Sequence, residues 1–62
     1  MNTDYEGFID GFTFVKRGNV IEVWLDLSDD SPEELIKLKE GEIKNKKDFD
    51  QEIAYWFMNH KL

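Results

Sequence analysis

Cysteine is absent from this chain, and only one histidine and one proline occur among its 62 residues. Disulfide bonds and thiolate metal sites are therefore excluded, and the single imidazole of His60 cannot build a zinc site by itself. No apolar run approaches the roughly 18 residues that a membrane-spanning helix needs. The first residues also lack the basic and apolar regions of a signal peptide, so we expect a cytoplasmic protein with no cofactor or metal.

The length allows one domain, over residues 1–62, with a thin core. A chain of this size buries only about 60% of the surface that it exposes when unfolded, so its stability needs reinforcement. Aromatic residues make up 15% of the chain. Each large ring can bury on the order of 150–250 Å², which makes aromatic packing one source of stability. Self-association and a bound partner are the others.

Acidic residues outnumber basic ones, and the net charge is −6. This charge argues against direct binding to nucleic acid or to an anionic membrane, because both kinds of binding need positive charge near phosphate groups. The charge is also uneven, since residues 1–36 carry nine acids against two bases and residues 37–62 carry five acids against six bases. Such asymmetry predicts a polarised surface.

Residues that commonly carry catalysis are scarce. The chain has no cysteine, no glycine-rich phosphate loop, and no histidine spaced with a carboxylate on one element. A ligand pocket of roughly 300–1,000 Å³ would also take a large share of so small a domain. We therefore expect no enzyme activity, and we interpret His60 as a residue near the negative end of a helix dipole.

The stretch "GFTFVKRGNVIEVWLDL" predicts a β-hairpin with strands at about 12–16 and 20–27. Apolar side chains alternate along both strands, and the "RGN" between them tolerates positive φ. A two-residue turn within this sequence places Phe14 opposite Val23 and keeps the apolar side chains on one face. A three-residue turn would oppose Phe14 to Glu22 and break that face.

A second turn is predicted upstream, at Asp10-Gly11. Asp-Gly favours a two-residue hairpin turn, so residues 4–9 form a first strand and Ile9 pairs with Phe12. The result is a three-stranded meander. The alternative is one long strand over 8–16 with a bulge at Gly11, which leaves a two-stranded hairpin that is a poor platform for a core.

Two helices are predicted after the hairpin, over about 32–40 and 49–60. The first begins with "SPEE", in which the serine caps the helix, the proline takes the first helical position and the second glutamate completes a capping box. Gly41 ends it. Asp48 is the predicted cap of the second helix. The fold class is therefore α+β, with a two- or three-stranded antiparallel sheet followed by two helices, ββ(β)αα.

The second helix carries two apolar stripes at a spacing of about 100° per residue. One contains Phe49, Ile53 and Trp56, and the other contains Tyr55, Met58 and Leu62. A helix that packs on one sheet needs only one stripe. The second stripe therefore packs against the shorter helix, or it forms a dimer or partner interface.

The stretch "DLSDDSPEE" concentrates acidic residues between the hairpin and the first helix. Carboxylates at a helix start favour the helix dipole by about 0.3–1 kcal/mol each, and this local role is one reading. The other reading is a binding surface in which the carboxylates resemble spaced phosphates. A calcium loop is disfavoured, because the Asp-x-Asp-x-Asp-Gly spacing and the distal glutamate are missing.

Trp24 lies between Glu22 and Asp26 on the predicted outer side of the hairpin. It either covers neighbouring strand residues or serves as a contact residue, since tryptophan is enriched at binding hot spots. The second reading joins it to the acidic stretch. The candidate partner-binding residues are Glu22, Trp24, Asp26, Asp29, Asp30, Glu33 and Glu34.

These patterns predict a small acidic protein-binding module. It would inhibit or modulate a larger protein by covering a basic or nucleic-acid-binding surface of that protein, as DNA mimics do. A phage or mobile-element origin, and hence a location in the host cytoplasm, is a hypothesis from size and composition. The alternative function is a structural or assembly module, or a homodimer, that uses Tyr55, Met58 and Leu62. A transcriptional or toxin-neutralising regulator is the weaker reading, because no helix-turn-helix with a basic recognition helix is present.

Overall fold

The structure, a computed structural model, describes residues 3–26 and 28–61. Within them, an antiparallel four-stranded sheet is followed by one helix. The strands are β1 (Tyr5–Ile9), β2 (Phe12–Arg17), β3 (Val20–Trp24) and β4 (Glu34–Lys37), and the helix is α1 (Lys46–Lys61). The strands are ordered β1-β2-β3-β4. The α+β class is confirmed, but the predicted sheet of two or three strands followed by two helices is wrong.

The first turn confirms the predicted meander. Asp10 and Gly11 have φ values of 47° and 88°. Positive φ at both central residues is the requirement of a type I′ hairpin turn, and it makes Ile9 the partner of Phe12. The alternative of one strand over 8–16 is therefore wrong.

The second hairpin has the predicted register. Gly18 supplies a φ of 62° in the first turn position, and Phe14 pairs with Val23. The second strand extends to Arg17, one residue beyond the predicted 12–16. The third strand ends at Trp24, so the predicted extension over 25–26 is wrong, whereas position 27 lies outside the described residues.

The predicted helix over 32–40 is wrong, because residues 34–37 of this segment form β4. An isolated helix of this length is marginal in water, so its capping signals do little without tertiary support. Pairing with β3 instead satisfies the backbone groups that these two strands point toward each other, and it sets Ile36 opposite Ile21. Gly41, predicted as a helix stop, has a φ of 78° in a turn closed by the Glu42 N–H and the Lys39 carbonyl at 3.0 Å.

Helix α1 begins earlier than the predicted 49–60 range. Asn45 is its N-cap, because the Asn45 side-chain oxygen accepts the Asp48 N–H at 2.9 Å. Asp48, the predicted cap, lies inside the first turn, where its carboxylate accepts the Lys44 N–H at 3.0 Å. The Asn45 side chain thus accepts an N–H from the first turn of the helix, and the Asp48 side chain accepts an N–H from the residue before the cap.

The core lies between α1 and one face of the sheet. Its buried residues come from β2, β3 and the first half of α1, and they are Phe14, Ile21, Val23, Phe49 and Ile53. Gly7 permits the close approach of helix and sheet, since a Cβ at this position would lie 2.7 Å from Ile53 Cδ1. Glycine is therefore the residue that lets α1 pack on β1.

The second half of α1 contributes an aromatic cluster. Phe12 makes edge contacts with Trp56, Phe57 and His60, and the His60 ring stacks on Trp56 with a centroid distance of 4.6 Å. Such aromatic contacts add about 0.5–1.5 kcal/mol each beyond the area that they bury. His60 is thus a packing residue at the helix end.

A salt bridge between Lys16 and Asp4 lies at the edge of the helix-covered face. Lys16 Nζ donates to Asp4 Oδ2 at 3.0 Å and to the Gly18 carbonyl at 2.7 Å. The hydrogen bond from Lys16, the Gly18 N–H and the lysine charge together hold the pKa of Asp4 below its usual value. These contacts tie the segment before β1 to the β2–β3 turn.

Candidate protein-binding surface

One face of the sheet points away from α1. Residues directly opposite each other in paired strands lie on the same face, and successive residues alternate between faces. The row that contains Gly7 and Phe14 faces the helix, so the neighbouring rows face away from it. We call these rows the open face, which comprises Glu6, Phe8, Thr13, Val15, Glu22, Trp24 and Leu35.

Val15 is the buried centre of the open face. Its side chain is only 3% exposed, although it does not belong to the core cluster under the helix. Phe8 is 68% exposed and Leu35 is 48% exposed, on strands either side of it. A buried valine between partly exposed large apolar residues makes this face a small apolar platform.

Trp24 is half-buried on the open face, paired with Thr13 across the hairpin. Its indole Nε1–H donates to Glu22 Oε1 at 3.0 Å. The same carboxylate oxygen lies 3.9 Å from Arg17 Nε. Glu22 therefore holds the indole in a fixed orientation, and its polar N–H is satisfied without a partner protein.

Residues 25–26 and 28–33 lie between β3 and β4, carry most of the predicted acidic stretch and are called the acidic loop. A strand follows them, so their predicted role at the start of a helix is wrong. Asp26 Oδ1 accepts the Ser28 N–H at 3.0 Å and the Ser28 hydroxyl at 2.9 Å, and these hydrogen bonds lower the pKa of Asp26. The Asp29 N–H donates to the Asp26 carbonyl at 2.9 Å, which closes a turn. Asp29, Asp30 and Glu33 remain exposed beside the end of β3.

Glu34 separates from the other predicted site residues. It pairs with Val23, in the row that faces the helix, and its Oε2 accepts the Trp56 Nε1–H at 3.2 Å. The predicted set is therefore divided by the structure. Glu22 and Trp24 lie on the open face, Asp26, Asp29, Asp30 and Glu33 lie in the acidic loop, and Glu34 lies on the helix side.

Charge is distributed unevenly along the strands. Arg17 and Lys37 lie in one row with Val20 at the end of the sheet where the β2–β3 turn is. The acidic loop and Asp10 lie at the other end, where β1 passes to β2 and β3 ends. The apolar platform thus has basic residues at one end and carboxylates at the other.

The alternative interface on α1 is also exposed. Tyr55 is 69% exposed and Met58 is 67% exposed. The segment predicted to form the short helix that could cover them forms a strand paired with β3 instead. Leu62 lies outside the described residues. The predicted second stripe is therefore uncovered at the two positions that the structure describes.

Phe8 and Leu35 were missed as candidate site residues. The alternation of β1 could have found Phe8, because a two-residue turn that places Ile9 on the core side places Phe8 on the other face. Leu35 could not be assigned in this way, since its segment was assigned to a helix. Its place on the open face follows from its pairing with Glu22.

Comparison of the chain with protein-family models, curated proteins and solved structures finds no match. The one helix within residues 3–26 and 28–61 is too short and too polar to cross a membrane. In the same part of the chain, no three histidine or acidic side chains come together in a group that could hold a metal ion.

Proposed function

We propose that the protein is a small acidic binding module that docks on a larger protein through the open face. The observation that carries this proposal is the apolar platform around Val15, with Phe8 and Leu35 each about half exposed or more. A helix covers the other face of the same sheet, whereas none of the described elements covers this one. Burying apolar side chains at about 25 cal/mol per Å² supplies the driving force for docking.

The acidic loop determines which partner surface fits. Its exposed carboxylates, Asp29, Asp30 and Glu33, lie next to the Trp24 end of the platform. A partner with an apolar patch bordered by lysine or arginine residues matches this arrangement, and a nucleic-acid-binding surface has that basic character. Inhibition or modulation follows when the module occupies such a surface.

Affinity capture with matched variants tests the proposal. The wild-type chain and its variants are immobilised, and the proteins retained from a cell lysate are quantified at low and high salt. We expect a partner whose retention falls about tenfold or more with Phe8→Glu, with Leu35→Glu, and with Asp29 and Asp30 both changed to Lys. Retention should also decrease steeply with salt.

Control variants separate this surface from general charge effects. Glu40→Lys and Glu42→Lys together change the net charge as much as the Asp29 and Asp30 reversal does, but they lie in the turn after β4. Equal losses from both double variants would contradict docking through the acidic loop. Retention that is insensitive to Phe8→Glu and Leu35→Glu would contradict docking through the open face.

The exposed stripe of α1 supports a second candidate function, an assembly module. Tyr55 and Met58 are among the most exposed large apolar residues of the described chain. If they form the interface, Tyr55→Glu and Met58→Glu reduce partner retention or self-association, while Phe8→Glu leaves both unchanged. The same capture experiment therefore distinguishes the two surfaces.

A further inference from the structure

β4 is one edge of the sheet, and its outward backbone groups can be identified. Antiparallel pairing alternates residues whose N–H and C=O point to the neighbouring strand with residues whose groups point away. The Leu38 N–H donates to the Asn19 carbonyl at 2.8 Å, so Leu38 bonds toward β3. By alternation, the N–H and C=O groups of Leu35 and Lys37 point to the open edge.

These outward groups have no partner among residues 3–26 and 28–61. The backbone hydrogen bonds of the segment run to β3, and the Leu35 and Lys37 side chains are exposed. A row of unpaired N–H and C=O groups on an edge strand is a template for another strand. The edge therefore offers main-chain hydrogen bonds in addition to side-chain contacts.

We propose that two copies of the chain pair through β4, antiparallel, about a two-fold axis perpendicular to the sheet. Leu35 of one copy faces Lys37 of the other, and the two Ile36 residues meet at the axis. All outward N–H and C=O groups of Leu35 and Lys37 in both copies are then paired. The two four-stranded sheets become one continuous sheet of eight strands.

The neighbouring symmetric registers are less favourable. Placing Leu35 opposite Leu35 sets Lys37 opposite Glu33 of the other copy, but the Glu33 N–H already donates to the Val23 carbonyl at 2.7 Å. One Lys37 carbonyl in each copy would then have no donor. Placing Lys37 opposite Lys37 sets like charges directly across from each other, which is destabilising.

Charge complementarity supports a second copy as the occupant of this edge. In the proposed register, Glu33 lies opposite Lys39 of the other copy, and the two-fold axis makes this pair occur twice. Both residues are exposed in the single copy, so the pairs form without burying an isolated charge. The net charge of −6 on each copy opposes association, so we expect a weak dimer with a Kd between about 1 μM and 1 mM.

Amide hydrogen exchange tests the pairing directly. The N–H groups of Leu35 and Lys37 face solvent in the single copy, so they should exchange fast at low protein concentration and become protected as concentration rises. The opposite edge is the internal control. Since Ile9 and Phe12 close a two-residue turn, the Glu6 and Phe8 N–H groups point away from β2, and we expect them to exchange fast at every concentration.

Proline substitution at Lys37 removes one outward donor in each copy and leaves the hydrogen bonds to β3 in place. We expect Lys37→Pro to raise the dimer Kd by at least about tenfold, measured by analytical ultracentrifugation. Lys37→Gln keeps the N–H and should change the Kd by less than about threefold. Glu6→Pro places proline at the other edge and should leave the dimer intact.

Charge exchange provides a second measurement that does not depend on proline. Glu33→Lys and Lys39→Glu should each weaken the dimer about threefold to tenfold. The double variant with both changes should restore the wild-type Kd, because the opposed charges are only exchanged. A double variant no better than the single variants would show that Glu33 and Lys39 are not opposed.

The inference is overturned by a chain that stays monomeric at millimolar concentration with fast exchange at Leu35 and Lys37. It is also overturned by a dimer that Glu6→Pro or Tyr55→Glu disrupts, since either result places the interface elsewhere. The proposed docking function can fail independently. Phe8→Glu removes docking on a partner but does not touch β4 backbone groups, so it should leave dimerisation unchanged.

Discussion

The two faces of the sheet differ in how they are completed. On one face, Phe14 and Val23 are fully buried under α1, and an added Cβ at Gly7 would lie 2.7 Å from Ile53 Cδ1. On the other, Val15 is nearly as buried, at 3% exposed, but is bordered by exposed residues such as Phe8. The first face is covered by the helix, whereas no element of residues 3–26 and 28–61 covers the second. The difference indicates that the packing that stabilises the described fold is concentrated on the helix-covered face, and the other face is the one proposed to bind.

The largest predicted difference in unfolding free energy is between alanine substitutions of two phenylalanines on opposite faces of the sheet. Phe14→Ala should cost about 3–5 kcal/mol, because it leaves a cavity in the core. The total stability of a chain of this length is only about 3–9 kcal/mol, so this variant should be largely unfolded. Phe8→Ala should cost less than about 1 kcal/mol, because the ring is mostly exposed. Urea unfolding followed by circular dichroism measures both, and equal costs would contradict the division between faces.

Valine substitutions at neighbouring positions of β1 give a second comparison of the two faces. Gly7→Val pushes methyl groups toward Ile53 and Phe49, whose nearest atoms lie 2.7 and 3.1 Å from an added Cβ. We expect a loss of about 1–3 kcal/mol from overpacking. Glu6→Val, one residue away on the open face, should change stability by less than about 0.5 kcal/mol. Thermal unfolding of the two variants measures both changes, and equal changes would contradict close packing of α1 on Gly7.

Val15 tests whether the open face has packing of its own. Val15→Ala removes two buried methyl groups and should cost about 1–2 kcal/mol, less than Phe14→Ala and more than Phe8→Ala. The measurement is again the free energy of unfolding in urea. A cost near zero would mean that the side chains around Val15 do not pack on it in solution.

The smallest predicted effect is a pH dependence at the helix-covered side. Partial burial, with a contribution from the Glu42 carboxylate, raises the pKa of Glu52 above its usual value. A carboxyl group with a raised pKa contributes stability at pH values below its ordinary pKa. This contribution is lost as the pH rises through the folded-state pKa. Glu52→Gln should therefore be more stable than wild type at neutral pH, by less than about 0.5 kcal/mol, and equal to it in acid.

A matched variant separates this effect from net charge. Glu40→Gln removes the same charge from an exposed turn position. Thermal unfolding across pH should show a smaller gain for Glu40→Gln than for Glu52→Gln at neutral pH. The reverse order would contradict the role given to the surroundings of Glu52.

Sequence patterns predicted the structure correctly where a turn signal was flanked by alternating residues on both strands of a hairpin. Asp10-Gly11 specified a turn, and the alternation around Phe14 and Val23 then allowed only one register. Alternation along the second hairpin also assigned Trp24 to the outer side, where it pairs with Thr13. These features depend on neighbours within a few residues, which is the range over which φ preference and side-chain alternation act.

The segment that became β4 shows where local signals fail. Its serine, proline and glutamate favour a helix start, but each such signal contributes only about 1 kcal/mol. The edge of β3 offered backbone hydrogen bonds and a core position for Ile36. Sheet pairing joins residues far apart in the sequence, so no count of propensities along the segment could reveal it. The same pairing separated Glu34 from the acidic loop and added Leu35 to the open face.

By itself, the amino-acid sequence determined the charge, the absence of thiol chemistry, the turns and the alternation of the two hairpins. Tertiary structure alone decided that the sheet has a fourth strand, which face α1 covers and which carboxylates share a surface. The physical reason is that turns and alternation follow from the chain's own geometry, whereas covering a face depends on which distant segment buries the most apolar surface there.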